Sequence, residues 1–343
     1  MKVKLGTVPE YPVRELMIRA RDECEPVLRD VVDNLPGPLR HMAGYHFGWW
    51  ERDGAVSSAR SGKWLRPALV FAAAAACGGA QHGTVHAAAA VELFHNFTVI
   101  HDDVMDHDHI RRGRATVWRV WGVDNAMLLG DALHALAGWK LAAGFPSAVA
   151  ADAVARLGST AVEVCIGQYE DTAFETRSDI SEAEYVRMAT GKTGALLGCA
   201  CALGALSAGG DGVTVSAMDG FGRELGLAFQ FVDDVIGIWG DPEVTGKPAG
   251  SDLTRRKHTL PVVTALASNT DAAADLMKLY RSTEPMSPED IARASALLEA
   301  AGGKREAMRQ ARLRVSAAVR ALPDRAEADG LRALALFAAD REW

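Results

Sequence analysis

The sequence predicts an all-α protein, and three observations carry that prediction. Alternating β-branched runs are missing, Ala and Leu abound, and apolar residues recur at helical spacing over long stretches. With 49% hydrophobic residues among 343, the chain can fill a large core. No Pro/Gly/Ser-rich linker or shift of composition divides it, so a single domain over residues 1–343 is expected.

Helical periodicity starts near Val13 and runs to about Asn34, where Pro36, Gly37 and Pro38 interrupt it. A short aromatic segment follows, with Tyr45, Phe47, Trp49 and Trp50. The spacing then predicts helices over about 63–77, 83–108, 122–143, 147–173 and 182–207, separated by Gly, Pro or Asp-rich turns. A long helix over about 214–239 follows. The Gly/Pro-rich stretch from Gly240 to Lys257 reads as a loop and a candidate lid. Shorter helices close the chain at about 259–269, 271–283, 287–301, 303–321 and 324–341. The last three carry Arg, Glu and Ala around apolar stripes, the pattern of helices on the outside of a bundle.

Composition narrows the function. A net charge of −7 speaks against nucleic acid as a partner. Cys24, Cys77, Cys165, Cys199 and Cys201 show neither disulfide nor zinc spacing and read as buried, reduced thiols. There is no signal-peptide pattern, and the Ala68–Ala76 run is too short to span a bilayer. A soluble, cytoplasmic protein without a transmembrane segment is expected.

The chemistry is concentrated in aspartates. Asp102, Asp103 and Asp106 form a DDxxD cluster after the apolar run Ala87–Ile100. Three like charges at the end of a buried helix call for a cation, and an all-oxygen set without thiolates favours Mg²⁺ bridged to phosphate oxygens. A surface carboxylate cluster is the plain alternative. The interleaved His101, His107 and His109 raise a zinc reading, although His107 and His109 point to different faces. A second pair, Asp233 and Asp234, shares a helical stripe with Gln230; a buried structural pair matched to Lys192, Lys247 or Lys257 is its alternative. Basic residues weigh between these readings. Lys63 and Arg66 open a helix whose N–H groups favour an anion, and Arg111 and Arg112 add two guanidinium forks. Two basic sets suggest two diphosphates, one held through metal and one held directly.

With these motifs in this order over about residues 60–262, the chain resembles the trans-isoprenyl diphosphate synthases of the polyprenyl synthetase family, and bacterial geranylgeranyl diphosphate synthases in particular. The resemblance implies an isoprenoid-synthase-type helical bundle around a deep central cavity. It also implies a homodimer that joins isopentenyl diphosphate head to tail to an allylic diphosphate, whether dimethylallyl, geranyl or farnesyl. Carried over by position, Asp102, Asp103, Asp106 and Asp233 would bind Mg²⁺, three ions with substrate present. Arg111, Lys192 and Lys247 would contact the allylic diphosphate, with Lys257 near it. Lys63, Arg66, His95 and Arg112 match the isopentenyl diphosphate positions. Thr193 and Gln230 match groups at the reacting centre, and Gln168 and Asp171 match a polar pair on a neighbouring helix. One departure stands out: Gly237 occupies a position where many members carry a third aspartate, and Asp241 could contribute indirectly.

Product length in the family depends on side chains one to two turns before the first cluster. Here Phe97 and Thr98 lie five and four positions before Asp102, a pattern resembling C20 synthases. Phe94, further down, could equally form the floor, and ordinary core packing accounts for all three. C15 or C25 synthesis, a class I terpene cyclase and a non-catalytic subunit of a heteromeric synthase are the competing readings. Retention of Lys63, Arg66, His95 and Arg112 argues against a cyclase, which has no second diphosphate to hold.

Overall fold

The computed structural model describes residues 13–57, 62–79, 82–241, 250–282, 284–322 and 328–339. They are helical almost throughout, as the periodicity predicts. Packing divides them into two compact units. The first comprises the described residues up to Gly158, Cys199–Met218 and the final helix through Leu334; the second comprises Ser159–Gly198, the described part of Asp219–Pro323 and the end of that helix.

In the first unit the chain forms α1 (Val13–Asp33), α2 (Gly37–Phe47), α3 (Leu65–Ala76) and α4 (His82–Met105). A two-residue-per-strand hairpin, β1 (Ile110–Arg111) with β2 (Arg114–Ala115), leads to α5 (Val117–Trp121), α6 (Val123–Gly144) and the first half of α7 (Ser147–Phe174). Helix α4 packs most extensively on α6 and also meets α1 and α3. Its run Ala87–Ala90 is wholly buried, as are Leu93 and Phe94. A helix apolar on every side belongs inside, and small side chains let its neighbours close in.

The second unit takes the rest of α7 and then α8 (Glu182–Ala189), a π-helical turn (Thr190–Gly194) and the start of α9 (Ala195–Ser207). It continues through most of α10 (Gly212–Trp239), then α11 (Ser251–Thr254), α12 (Leu260–Leu266), α13 (Asp271–Arg281), α14 (Pro288–Ala300) and α15 (Gly303–Ala321), and ends in the last residues of α16 (Asp329–Ala339). Tyr185, Phe231, Val232, Val235 and Leu260 form one of its cores. Ser181 starts α8 with a capping box closed by Glu184.

Several expectations need correction. The aromatic segment after Pro38 is largely helical: proline in a first turn gives up an N–H that would be unbonded anyway, so the helix restarts at once. Helix α4 stops at Met105, three residues short of the predicted end. The hairpin and α5 were not predicted, and the 182–207 segment contains the π-helical turn. Cys165 is exposed and Cys77 half-buried, although Cys24, Cys199 and Cys201 are buried and none of the five is in a disulfide. The segment Glu182–Ser207 is long and apolar enough to cross a membrane, but 78% of its apolar window is buried within the protein. Residues 242–249 of the candidate lid, Lys247 among them, lie outside the described residues, and Ser251–Thr254 within it is helical as α11 rather than loop.

Candidate active site

The first aspartate cluster sits where a helix ends. Asp102 and Asp103 occupy the last turn of α4, and Asp106 follows it with its N–H still bonded to the Asp102 carbonyl at 2.8 Å. Bonds from Asp108 N to Asp103 O (2.9 Å) and from His107 N to Val104 O (3.3 Å) close a Schellman motif, with His107 in the left-handed region at φ 54°. Three carboxylates thus meet the negative end of the helix dipole. Burial pushes the Asp103 carboxyl up to about 6, with Arg111 pulling against it and Asp108 and Asp102 adding repulsion. Such a terminus attracts cations. Arg111 Nε lies 2.5 Å from Asp103 and its NH2 3.3 Å from Asp108.

The hairpin fixes the two arginines. Its two-residue loop is Arg112-Gly113, both at positive φ (52° and 76°), as a type I′ turn demands. An arginine in that conformation is strained, so the turn is held from outside. Arg114 donates to the carbonyls of Tyr45 (2.9 Å) and Trp50 (2.9 Å), pairs with Glu51 at 3.0 Å and stacks on the Tyr45 ring. The Trp118 indole and the Thr116 hydroxyl both donate to the Asp108 carbonyl.

The second basic set lies in the same unit. A Cβ on Gly62 would stand 3.0 Å from the Arg112 guanidinium. Arg66 donates to His95 Nε2 at 3.1 Å, which makes His95 the acceptor and therefore neutral. Burial, then Arg66 and Arg112, hold it well below its ordinary range. Lys63 is exposed just ahead of α3. Beneath them, burial raises the Glu92 carboxyl while Arg66 and Arg112 draw it back down. Glu92 accepts from Asn96 at 3.1 Å, and Asn96 Oδ1 is bonded to His46 Nε2 at 3.0 Å. The histidines near the aspartates do not converge. His101 bonds the Met127 carbonyl, and His107 and His109 are exposed beside Trp118.

One to two turns before the aspartates, Phe97 stacks flat on His134 with ring centres 4.8 Å apart, and Phe94 meets both edge-on. The Thr98 hydroxyl turns back to the His95 carbonyl. His134 also lines a cavity of about 520 Å³ with Asp131, Gly138, Val154 and Leu157.

In the second unit a crossing of glycines sets the geometry. A Cβ on Gly167 would lie 2.2 Å from Lys192 N, and one on Gly191 2.8 Å from Glu163 O, so α7 and the π-helical turn touch backbone to backbone. That turn presents Lys192 to Asp171 at 2.5 Å and Thr193 to Gln230 at 2.7 Å; π-bulges often mark functional positions. Burial raises the Asp171 carboxyl, but Lys192 and then Lys257 outweigh it and leave it lowered. Gln168 is 8% exposed, and both polar atoms of its amide are buried without a hydrogen-bond partner. Asp233 is half-buried and Asp234 buried. Asp234 accepts from Tyr185, from Leu260 N and from Gln230. Asp241 is exposed just beyond α10.

Comparison with known proteins gives the family. A family model described as polyprenyl synthetase matches residues 54–298. The chain belongs to the polyprenyl synthetase family. It is accordingly a prenyltransferase of isoprenoid biosynthesis that elongates trans-prenyl chains. It is 52% identical over 338 residues to a geranylgeranyl diphosphate synthase of Mycobacterium tuberculosis, covering 98% of this chain and 97% of that one. It is 40% identical over 331 residues to a (2E,6E)-farnesyl diphosphate synthase of Mycobacterium bovis, covering 94% and 92%. Among solved structures, a polyprenyl synthetase from Streptomyces coelicolor superposes with a TM-score of 0.89 at 42% identity, over 95% of this chain and 99% of that one.

For a polyprenyl synthetase the metal question is one of fit. Among the described residues no three His, Cys, Asp or Glu side chains come close enough to hold an ion by themselves. An all-carboxylate helix end that does not close on its own suits Mg²⁺, which keeps waters and shares its shell with phosphate. The position of Gly237 supplies a residue that sequence reading missed. A Cβ there would fall 2.0 Å from Asp252 Oδ2, so a carboxylate from α11 fills the space a third aspartate would need. Its only signal in the sequence is the Gly-Ser-Asp at 250–252, after the loop. His134, Tyr185, Glu92 and Asp108 were missed as well, because their roles arise from packing between elements.

Proposed function

We propose that this polyprenyl synthetase condenses isopentenyl diphosphate with an allylic diphosphate, dimethylallyl, geranyl or farnesyl, to make geranylgeranyl diphosphate. The observation that carries the reading is the pair of distinct diphosphate-binding chemistries. One is an aspartate-rich helix end that needs a cation, and the other is Arg66, His95 and Arg112, which require no metal. Lys63 joins the latter set.

Asp102, Asp103 and Asp106, with Asp233, would hold Mg²⁺, three ions once substrate is present. Bound there, Mg²⁺ would neutralise charge on the departing diphosphate and ease ionisation of the allylic carbon. Lys192, Lys257, Lys247 and Arg111 bind the same diphosphate. Arg111 would exchange its bonds to Asp103 and Asp108 for phosphate oxygens, releasing the carboxylate. Thr193 and Gln230 face the cation that forms, and the unbonded Gln168 amide gains a polar partner; left unmet it costs about 1–3 kcal/mol. The double bond of isopentenyl diphosphate then attacks, and released pyrophosphate takes the final proton. Asp252 supplies the carboxylate that Gly237 cannot.

For chain length, Phe97 braced flat on His134 forms the floor, with Phe94 below and the small Thr98 leaving depth. The 52% identity to a geranylgeranyl synthase against 40% to a farnesyl synthase supports C20. Replacing Phe97 with Ala is expected to shift product to C25 and longer, and an unchanged distribution would move the floor to Phe94. The protein acts in the cytoplasm as a homodimer. Leu128 and Trp139, both more than half exposed on α6, are apolar surface suited to a second copy, and light scattering should give twice 36.6 kDa.

Pyrophosphate release tests the reaction. It should require Mg²⁺ and both diphosphates, and stop with EDTA. Release from the allylic diphosphate alone would make the protein a cyclase.

A further inference from the structure

Tyr185, Asp234, Gln230 and Thr193 form one hydrogen-bonded chain inside the second unit. Tyr185 is 1% and Asp234 4% exposed, so water does not compete at that end of the chain, while Gln230 and Thr193 are half-buried. Asp234 Oδ2 accepts from the Tyr185 hydroxyl and, at 2.8 Å, from the Leu260 N–H. Its Oδ1 accepts from Gln230 Nε2 at 2.9 Å, and Gln230 Oε1 accepts from the Thr193 hydroxyl at 2.7 Å.

With the Asp234 carboxyl ionised, the direction of this chain is forced. A backbone N–H only donates, which commits Oδ2 to accepting, and Oδ1 is left as the acceptor facing Gln230. The amide must therefore turn its NH₂ toward Asp234 and its oxygen toward Thr193. The Thr193 hydroxyl must donate, and its lone pairs are left on the side away from Gln230. A hydroxyl held that way offers partial negative charge to a nearby cation; the same hydroxyl reversed offers its proton and opposes the cation.

We propose that Tyr185 and Asp234 are positioning residues for prenyl transfer, setting the polarity of the chain so that Thr193 presents lone pairs to the developing allylic cation. This rests on the reading of Thr193 as a group at the reacting centre. It gives the second aspartate of the Asp233-Asp234 pair a task distinct from metal binding, and it explains why a tyrosine hydroxyl is buried against it.

The test is Asp234→Asn. The asparagine oxygen keeps the Tyr185 and Leu260 donors, so its NH₂ faces Gln230 and the Gln230 amide must flip. Thr193 then accepts: the Tyr185 and Leu260 bonds keep their direction, and the bonds from residue 234 to Gln230 and from Gln230 to Thr193 survive reversed. The expected result is a fall in kcat of about 100-fold, with KM for both diphosphates and the Mg²⁺ concentration for half-maximal rate changed by no more than roughly twofold. Near-normal kcat, or a loss that extra Mg²⁺ restores, would overturn the inference. Should that variant fail to fold, Tyr185→Phe carries the test. It removes one donor without reversal and should lower kcat about 10-fold at unchanged KM; unchanged kcat overturns the proposal. A wild-type protein with no prenyl transfer at all would sink the proposed function on which the inference rests.

Discussion

Gly237 and Asp252 show how a departure at one residue is met by another. A side chain at 237 would enter the Asp252 carboxylate, so Gly237→Asp would both overpack the contact and oppose two like charges. It should lower stability by about 1–3 kcal/mol, read as a drop in the urea midpoint without gain of activity. If Asp252 serves the metal, Asp252→Asn should raise the Mg²⁺ needed for half-maximal rate about 10-fold at unchanged KM for isopentenyl diphosphate. An unaltered Mg²⁺ requirement would return Asp252 to a packing role. At the same scale, the carboxylates and cations of both sets were legible because each motif is short and its chemistry is local. The partner of Gly237 was not, since fifteen positions separate the two along the chain.

At the scale of elements, helix ends and irregular turns do the positioning. The Schellman end of α4, the type I′ turn at Arg112-Gly113 and the π-helical turn each aim charged side chains that a regular helix would turn elsewhere. The contact of Gly167 with the backbone of Lys192 is the most constrained of these. Gly167→Ala should displace the turn, reduce turnover more than tenfold, and cost about 1–3 kcal/mol by overpacking. Circular dichroism melting with steady-state rates separates the two effects, and full activity would show that Lys192 and Thr193 tolerate the shift. Periodicity gave the long helices to within a few residues because each buries a continuous face. It missed α2, the hairpin and the π-helical turn for a common reason. A helix restarting on a proline, strands two residues long and one inserted residue leave hardly any periodic signal, and tertiary contacts such as those of Arg114 hold them.

At the scale of the whole molecule, the buried carboxylates imprint a pH dependence. Asp103 near 6 and Asp234 near 7 are both raised, chiefly by burial, above the ordinary carboxylate value of about 4. The folded protein therefore holds protons that the unfolded chain has released. The stability they contribute is full below about pH 4 and is lost as pH rises through about 6 and 7. In the metal-free protein the urea midpoint should fall between about pH 5 and pH 8, and Asp234→Asn should flatten that slope. A slope unchanged by the substitution would contradict a raised Asp234. The all-α class of the described residues was legible from composition and period alone. The division into two compact units was not, because four of its boundaries fall inside the continuous helices α7, α9, α10 and α16.

The central claim is a two-diphosphate condensation that stops at twenty carbons, and product analysis tests it most directly. Purified protein with Mg²⁺ and isopentenyl diphosphate would be supplied with dimethylallyl, geranyl or farnesyl diphosphate in parallel, and the prenyl products sized by mass. The account predicts geranylgeranyl diphosphate from each primer. Accumulation of C15 or of C25 and longer would contradict the assignment of Phe97 and His134 as the floor, and absence of any elongated product would contradict the condensation itself.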